Sequence, residues 1–216
     1  RIEWMSVESA EMTKHAINAF LATSVVFANE LASICEQLGA DAKEVERGLK
    51  TESRIGPRAY VSPGGAFAGG TLARDVEFLT TLGARHGVPT TLLGSIRDSN
   101  IAHKQWAARR LSALLGPLHG RVVAIWGMTY KPGTSTLRRS MAVELCDHLL
   151  AQGATVVAHD PQAEEFPGRW QGRVTRAGTP ASALAGADAL VLATPWPLYR
   201  EVDVPARGGH DLVVVD

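Results

Sequence analysis

Between Ser9 and Gly39, apolar positions return at helical spacing. Met12, Ala16, Ala19, Phe20, Val26, Ile34 and Leu38 carry the pattern, and no Gly or Pro interrupts before Gly39. That period, held over such a length, predicts one long helix over 9–39. Asp41 with Glu44 three places on predicts a capped start for a second helix, "DAKEVERGL". Beyond the glycine-rich loop "PGGAFAGG", the segments "LARDVEFLTTLGARHG" and "TTLLGSIRDSNIAHKQWAARRLSALLG" predict two more helices. Residues 1–117 therefore read as an all-helical domain. The long helix is apolar on more than one face and its three companions cover only part of it, so a homodimer packed along 9–39 is expected.

From "GRVVAIWGMTY" the pattern changes. Val122 to Trp126 is a short apolar run ending at Gly127, and a polar loop leads to the helix "SMAVELCDHLLAQGA". The strand "TVVAHDP", the short helix "GTPASALAGAD" and the strands "ALVLATPW" and "DLVVVD" follow. Strands alternating with helices predict a doubly wound parallel sheet over 118–216. The fold class is thus α/β, an all-helical domain followed by a Rossmann-like sheet domain. Such sheets bind ligands beyond the carboxyl ends of their strands, here Gly127 to Arg138, Asp160, and Thr194 to Trp196. G-x-G-x-x-G is absent from this region, so it is not a conventional dinucleotide site by fingerprint. "GMTYKPGTSTLRRS" sets Lys131, Arg138 and Arg139 ahead of a helix start, which suits either a phosphate grip or a solvated basic loop.

Composition narrows the partners. Of 216 residues, 22 are Lys or Arg and 22 are Asp or Glu, scattered in short mixed groups with no basic face for nucleic acid. No uninterrupted apolar run reaches the roughly 18 residues of a membrane span, and "RIEWMSVESA" lacks a signal peptide's apolar core, so a cytoplasmic protein without membrane attachment is expected. Cys35 and Cys146 lie in apolar helical contexts and suggest neither a disulfide framework nor a metal site. The chain opens on Arg1 and closes on a strand-like run, as a piece of a longer polypeptide would.

Taken in order, "EMTKHAINAFLA", "NELASICEQLGAD", "RIGPR", "PGGAFAGGTLARD", "WGMTYKPGTSTLR" and "ATPWPLY" resemble the central and C-terminal parts of the UDP-glucose/GDP-mannose dehydrogenases. The resemblance covers nearly all of the chain. It implies a helical dimerisation domain and a sugar-nucleotide-binding domain, with the family's N-terminal NAD-binding Rossmann domain absent from this sequence. The implied activity is NAD-dependent oxidation of a nucleotide sugar at its C6 hydroxymethyl toward a uronic acid, as in polysaccharide biosynthesis. Two NAD are used per sugar, and a cysteine thioester lies between the two oxidations. By position, Lys14 and Asn18 match the lysine and asparagine that stabilise an oxyanion, and Asp75 matches an aspartate that positions water or shuttles a proton. Arg54, Phe67, Gly69, Tyr130 and Lys131 match substrate-binding positions, with Arg54 reaching in from a neighbouring subunit. Arg138 matches an arginine that reaches toward the cofactor phosphates.

The departures from the family pattern concern chemistry. Thr71 stands where the family has its cysteine, and Arg74 where it has a lysine. A thiol ionises near pH 8.5, whereas an aliphatic hydroxyl needs a strong base beside it, and no histidine is adjacent in sequence. Gly133, Ser135, Thr136 and Leu137 replace acids and a threonine, and Pro195 stands where a glutamate usually precedes the tryptophan. Three readings stay open at this point. One is a dehydrogenase with impaired or altered oxidation, and another is an inactive homologue that binds a nucleotide sugar or partners an active enzyme. The third is a related hydroxyacid-dehydrogenase-type oxidoreductase.

Overall fold

The computed structural model describes residues 2–68, 70–204 and 212–216, divided into two compact units, Arg1–Lys104 and Gln105–Asp216. In the first, α1 (Val7–Leu38) starts at Ser6, whose hydroxyl accepts from the Ser9 N–H, and stops at Gly39, which adopts φ 71°. Asp41 caps α2 (Ala42–Thr51) by accepting from the N–H groups of Lys43 and Glu44. Then come α3 (Thr71–Arg85) and α4 (Thr91–Lys104), both packed on α1.

The face that α1 turns to α3 and α4 is built from small residues. Ala19, Ala22 and Val26 form a core with Val76 and Ile96, against which Phe67, Leu72, Leu79 and Leu93 pack. The large apolar residues point elsewhere. Ile17, Phe20, Phe27, Ile34 and Leu38 are exposed, Phe20 to 73 % and Leu38 to 78 %. With Ser24 and Leu31 between them they follow alternating steps of three and four, the spacing of a coiled-coil seam. Alpha1 is also long and apolar enough to cross a membrane by length and composition, a test that core helices pass as well. Its scattered Ser, Thr and Asn break the run without making the helix polar. Its alanine face packs inside the unit, as a core helix packs.

The second unit holds α5 (Trp106–Leu115), which the sequence pattern joined to the preceding helix. The two are separate: Gln105 sits at φ −86° and ψ 0°, and Ala108 and Leu111 are buried in the sheet's core, not in the helical one. The helical segment thus divides after Lys104, ahead of the boundary expected at 117.

The sheet has five parallel strands in the order β3-β2-β1-β4-β5: β1 Val122–Trp126, β2 Thr155–His159, β3 Val174–Arg176, β4 Ala189–Leu192 and β5 Val213–Val215. Helices α6 (Met141–Ala151) and α7 (Pro180–Ala183) fall between strands, α6 capped by Ser140. Beta3 is the strand that the sequence pattern did not predict. It is three residues long, at the sheet edge and largely exposed, so it carries no apolar run.

The strand order reverses between β1 and β4, the place where doubly wound sheets take ligands. Here the chain crosses closely. Gly127 adopts φ 88°, and a Cβ on it would meet Thr194 at 2.4 Å. Thr194 Oγ1 donates to the Thr129 carbonyl at 2.6 Å, tying the two strand exits together.

Candidate functional site

The cluster in the helical unit begins with helix spacing. Lys14 and Asn18 are four residues apart on α1 and share a face, and Asp75 is in the second turn of α3. Packing of α1 on α3 brings them together. Lys14 Nζ donates to both carboxylate oxygens of Asp75, at 2.7 and 2.6 Å, and Asn18 Nδ2 donates to Oδ2. The Asp75 side chain is buried, while that of Lys14 is half-exposed.

Burial alone would raise the Asp75 pKa. The donors Lys14 and Asn18, the nearby His15 ring and the Lys14 charge outweigh it and hold the group at about 2. Asp75 is therefore an anion throughout the physiological range.

His15 is the residue of this cluster that sequence reasoning missed. Its Nδ1 lies 3.1 Å from Asp75 Oδ1, buried, at an angle short of a directed hydrogen bond. Its ring stacks on Phe78 with centroids 4.3 Å apart. Adjacency to Lys14 and the three-residue step to Asn18 were visible in "KHAIN", but its meaning depends on α3. Lys14, His15, Arg74, Asp75, Glu77 and Phe78 line an open depression of about 610 Å³ that runs on along α3 to Arg85.

The glycine loop is held in place by two asparagines. Asn29, buried in α1, accepts from the Gly64 N–H at 2.8 Å. Asn100, buried in α4, accepts from the Phe67 N–H at 2.9 Å and donates to the Phe67 carbonyl at 2.8 Å. A polar residue in an apolar helical run was the available sign of Asn29, whereas Asn100 stands among the polar residues of "RDSNIAHK". Phe67 itself packs on the small helical core. Gly69 lies outside the described residues. Thr71 is the first residue of α3, exposed, four residues before Asp75 and so on its side of the helix; it is not among the residues lining the depression. Arg54 is also exposed, and its Nε donates to Glu52 Oε1 at 2.9 Å.

In the sheet unit, the loop after β1 carries the other candidates. Tyr130, Lys131 and Arg138 are exposed on it. The loop is closed by the Tyr130 N–H donating to the Thr136 carbonyl at 2.9 Å and by Thr134 Oγ1 donating to the Lys131 carbonyl. Arg139 follows at φ 65°, a left-handed conformation uncommon outside glycine.

Beneath the loop, Asp160 fixes the strand exits. Its Oδ2 accepts from the N–H groups of Met128 and Thr129, from Thr129 Oγ1 and from Trp196 Nε1, and its Oδ1 accepts from the Gln162 and Ala163 N–H groups. Burial opposes its ionisation, yet these donors lower its pKa. Both cysteines are buried, Cys35 in α1 and Cys146 in the core of the sheet unit, where burial pushes the thiol up. Neither is among the residues lining the depression.

A lysine–asparagine–aspartate cluster in a helical unit, followed by a doubly wound sheet with a basic loop beyond its switch point, makes this an α/β protein of two units. The central-domain model of the UDP-glucose/GDP-mannose dehydrogenase family matches residues 8–102, and the family's UDP binding domain model matches residues 124–216. The chain is 36 % identical over 210 residues to a UDP-glucose 6-dehydrogenase of Pseudomonas aeruginosa, covering 94 % of this chain and 46 % of that protein. It is 32 % identical over 200 residues to one of Bacillus subtilis, covering 92 % and 43 %. A UDP-glucose dehydrogenase structure from Pyrobaculum islandicum superposes with a TM-score of 0.86 at 33 % identity, over 98 % of this chain and 48 % of that one. The chain belongs to the UDP-glucose/GDP-mannose dehydrogenase family. It spans about half the length of the curated relatives it matches.

Proposed function

We propose that this chain is the reacting and sugar-nucleotide-binding half of an NAD-dependent nucleotide-sugar 6-dehydrogenase. It oxidises the C6 hydroxymethyl of a UDP-glucose-like substrate toward a uronic acid for polysaccharide biosynthesis in the cytoplasm. The observation that carries this reading is the Lys14–Asn18–Asp75 cluster beside the open depression. Phe67 and Gly69 in the glycine loop, and Tyr130 and Lys131 in the loop after β1, bind the substrate. Arg54 does so from a second copy of the chain, and the exposed apolar seam of α1 makes the homodimer.

Oxidation of an alcohol carbon gathers negative charge on its oxygen as hydride leaves. Lys14, half-exposed yet steered by Asp75, and the amide of Asn18 supply preorganised positive ends for that oxygen. NAD supplies the hydride acceptor when bound, and Arg138, exposed beyond β1, is the residue here that would touch its phosphates. Asp75, with a pKa of about 2, is a weak proton acceptor at neutral pH and acts by orienting Lys14.

The second oxidation uses water. Addition of water to the aldehyde gives a hydrate, whose carbon again loses hydride while one hydroxyl loses its proton, leaving the carboxylic acid. This route needs no thiol, in keeping with Thr71 at the start of α3 and with two cysteines buried elsewhere. Thr71 contributes its hydroxyl as a polar group near the reacting carbon. It also favours a second reading, a homologue that binds a nucleotide sugar and pairs with an active enzyme.

Incubating the complete gene product with UDP-glucose and NAD, and counting NADH per sugar, separates the readings. Two per sugar is the expected result, and one would place the end point at the aldehyde. Binding without any NADH would replace the dehydrogenase with the binding homologue.

A further inference from the structure

Each oxidation releases a proton that needs an acceptor, and Asp75, ringed by donors, is a weak one. We propose that His15 is that proton acceptor, its ring oriented by Asp75 through Nδ1 and its Nε2 turned toward the ligand in the depression between α1 and α3. The proposal rests on the dehydrogenase reading above.

Three features of the structure support it. Asp75 Oδ2 accepts from both Lys14 and Asn18, whereas Oδ1 accepts from Lys14 alone and faces His15 Nδ1 at 3.1 Å. A proton on Nδ1 therefore has an anion to point at. Nδ1 is a fully buried side-chain atom without a directed partner, but Nε2 is not among such atoms, and the ring lines the depression. Finally, Phe78 is one helical turn beyond Asp75, so a single face of α3 presents both the carboxylate and the ring that stacks on His15. Stacking sets the plane of the imidazole and the carboxylate sets its rotation. A histidine held through Nδ1 by a buried carboxylate, with Nε2 free, is the arrangement that makes an imidazole a general base.

The step balances. The C6 hydroxyl, or one hydroxyl of the aldehyde hydrate, gives its proton to the Nε2 lone pair. The O–H electron pair becomes the new C=O bond, and the C–H pair leaves as hydride to the nicotinamide oxidant. Imidazole becomes imidazolium and returns its proton to water. The charged groups around His15 are Lys14 and, one turn before it, Glu11 on α1, with Arg74, Asp75, Glu77 and Arg85 on α3. Only the neutral ring accepts a proton, so turnover is lost in acid.

Two readouts test this. In the 216-residue chain at alkaline pH, nitrogen–proton correlation spectra of the His15 ring, assigned by its loss in His15→Phe, are expected to show the proton on Nδ1 and a bare Nε2. A proton on Nε2 overturns the proposal without any assay. In the complete enzyme, His15→Phe keeps a stacking ring and removes both nitrogens. A fall in kcat of at least about a hundredfold with KM nearly constant, and loss of the acid limb of the pH profile, are expected. An unchanged kcat and acid limb overturn it. If the unmodified enzyme yields no NADH, the dehydrogenase reading fails and the acceptor role with it, while the tautomer separately reports whether Asp75 and His15 form the pair.

Discussion

Two buried aspartates, one in each unit, show how similar electrostatics can serve different ends. Asp75 and Asp160 are both held below the usual carboxylate range against the opposing effect of burial. Asp160 is held mostly by backbone N–H groups of its own and the neighbouring strand exit, groups that move only when the fold does. Asp75 is held by side chains of another helix, at the edge of an open depression. The Asp75 cluster reaches solvent through the half-exposed Lys14, whereas Asp160 lies beneath its loop. On that difference we propose Asp160 as an organiser of loops and Asp75 as part of the reacting site, although the sequence shows only an acid in each place.

The largest expected effect breaks the structural member of the pair. Asp160→Ala leaves buried N–H groups at two strand exits without acceptors and should cost about 3–5 kcal/mol of stability, read by chemical denaturation of the sheet unit. Asp75→Asn should lower turnover of the complete enzyme about a hundredfold or more while costing less stability than Asp160→Ala, because the amide oxygen can still accept from Lys14 and Asn18. Equal loss of stability in the two variants would erase the distinction. Gly127→Ala, forced against Thr194 in a left-handed backbone, should destabilise by about 1–3 kcal/mol, with no change expected in the melting of the helical unit.

Acid sharpens the comparison further. A carboxyl depressed by folding stabilises the protein above its unfolded pKa, and that contribution is lost as pH falls through the folded value. For Asp75 the window runs from 3.8 down to about 2, so acid unfolding of the helical unit should flatten there in Asp75→Asn. The smallest effect expected is from Thr71→Cys, a severalfold gain in complete oxidation over release of aldehyde. Unchanged acid formation would count against the loop as the reaction centre.

Legibility followed how local each signal was. Alpha1, its Gly39 stop and the Asp41 cap were readable because period, glycine and cap side chain act within a few residues. The break at Gln105 was not, since the residues on either side keep helical spacing and only burial of Ala108 and Leu111 in the sheet core separates them. Edge strand β3 had no apolar pattern to read. In the site, the family motifs pointed to Lys14, Asn18 and Asp75. His15 and the loop-holding Asn29 and Asn100 acquire their roles from residues 33 to 60 positions away, which no window along the chain connects.

The account stands on the claim that the charged face of α1 is where the sugar carbon reacts. Turnover of UDP-glucose by the complete enzyme carrying Lys14→Ala, measured beside the melting temperature of the same variant, addresses it directly. A loss of about a hundredfold to a thousandfold in kcat with an unaltered melting temperature is the predicted result. Oxidation at the unmodified rate would contradict it.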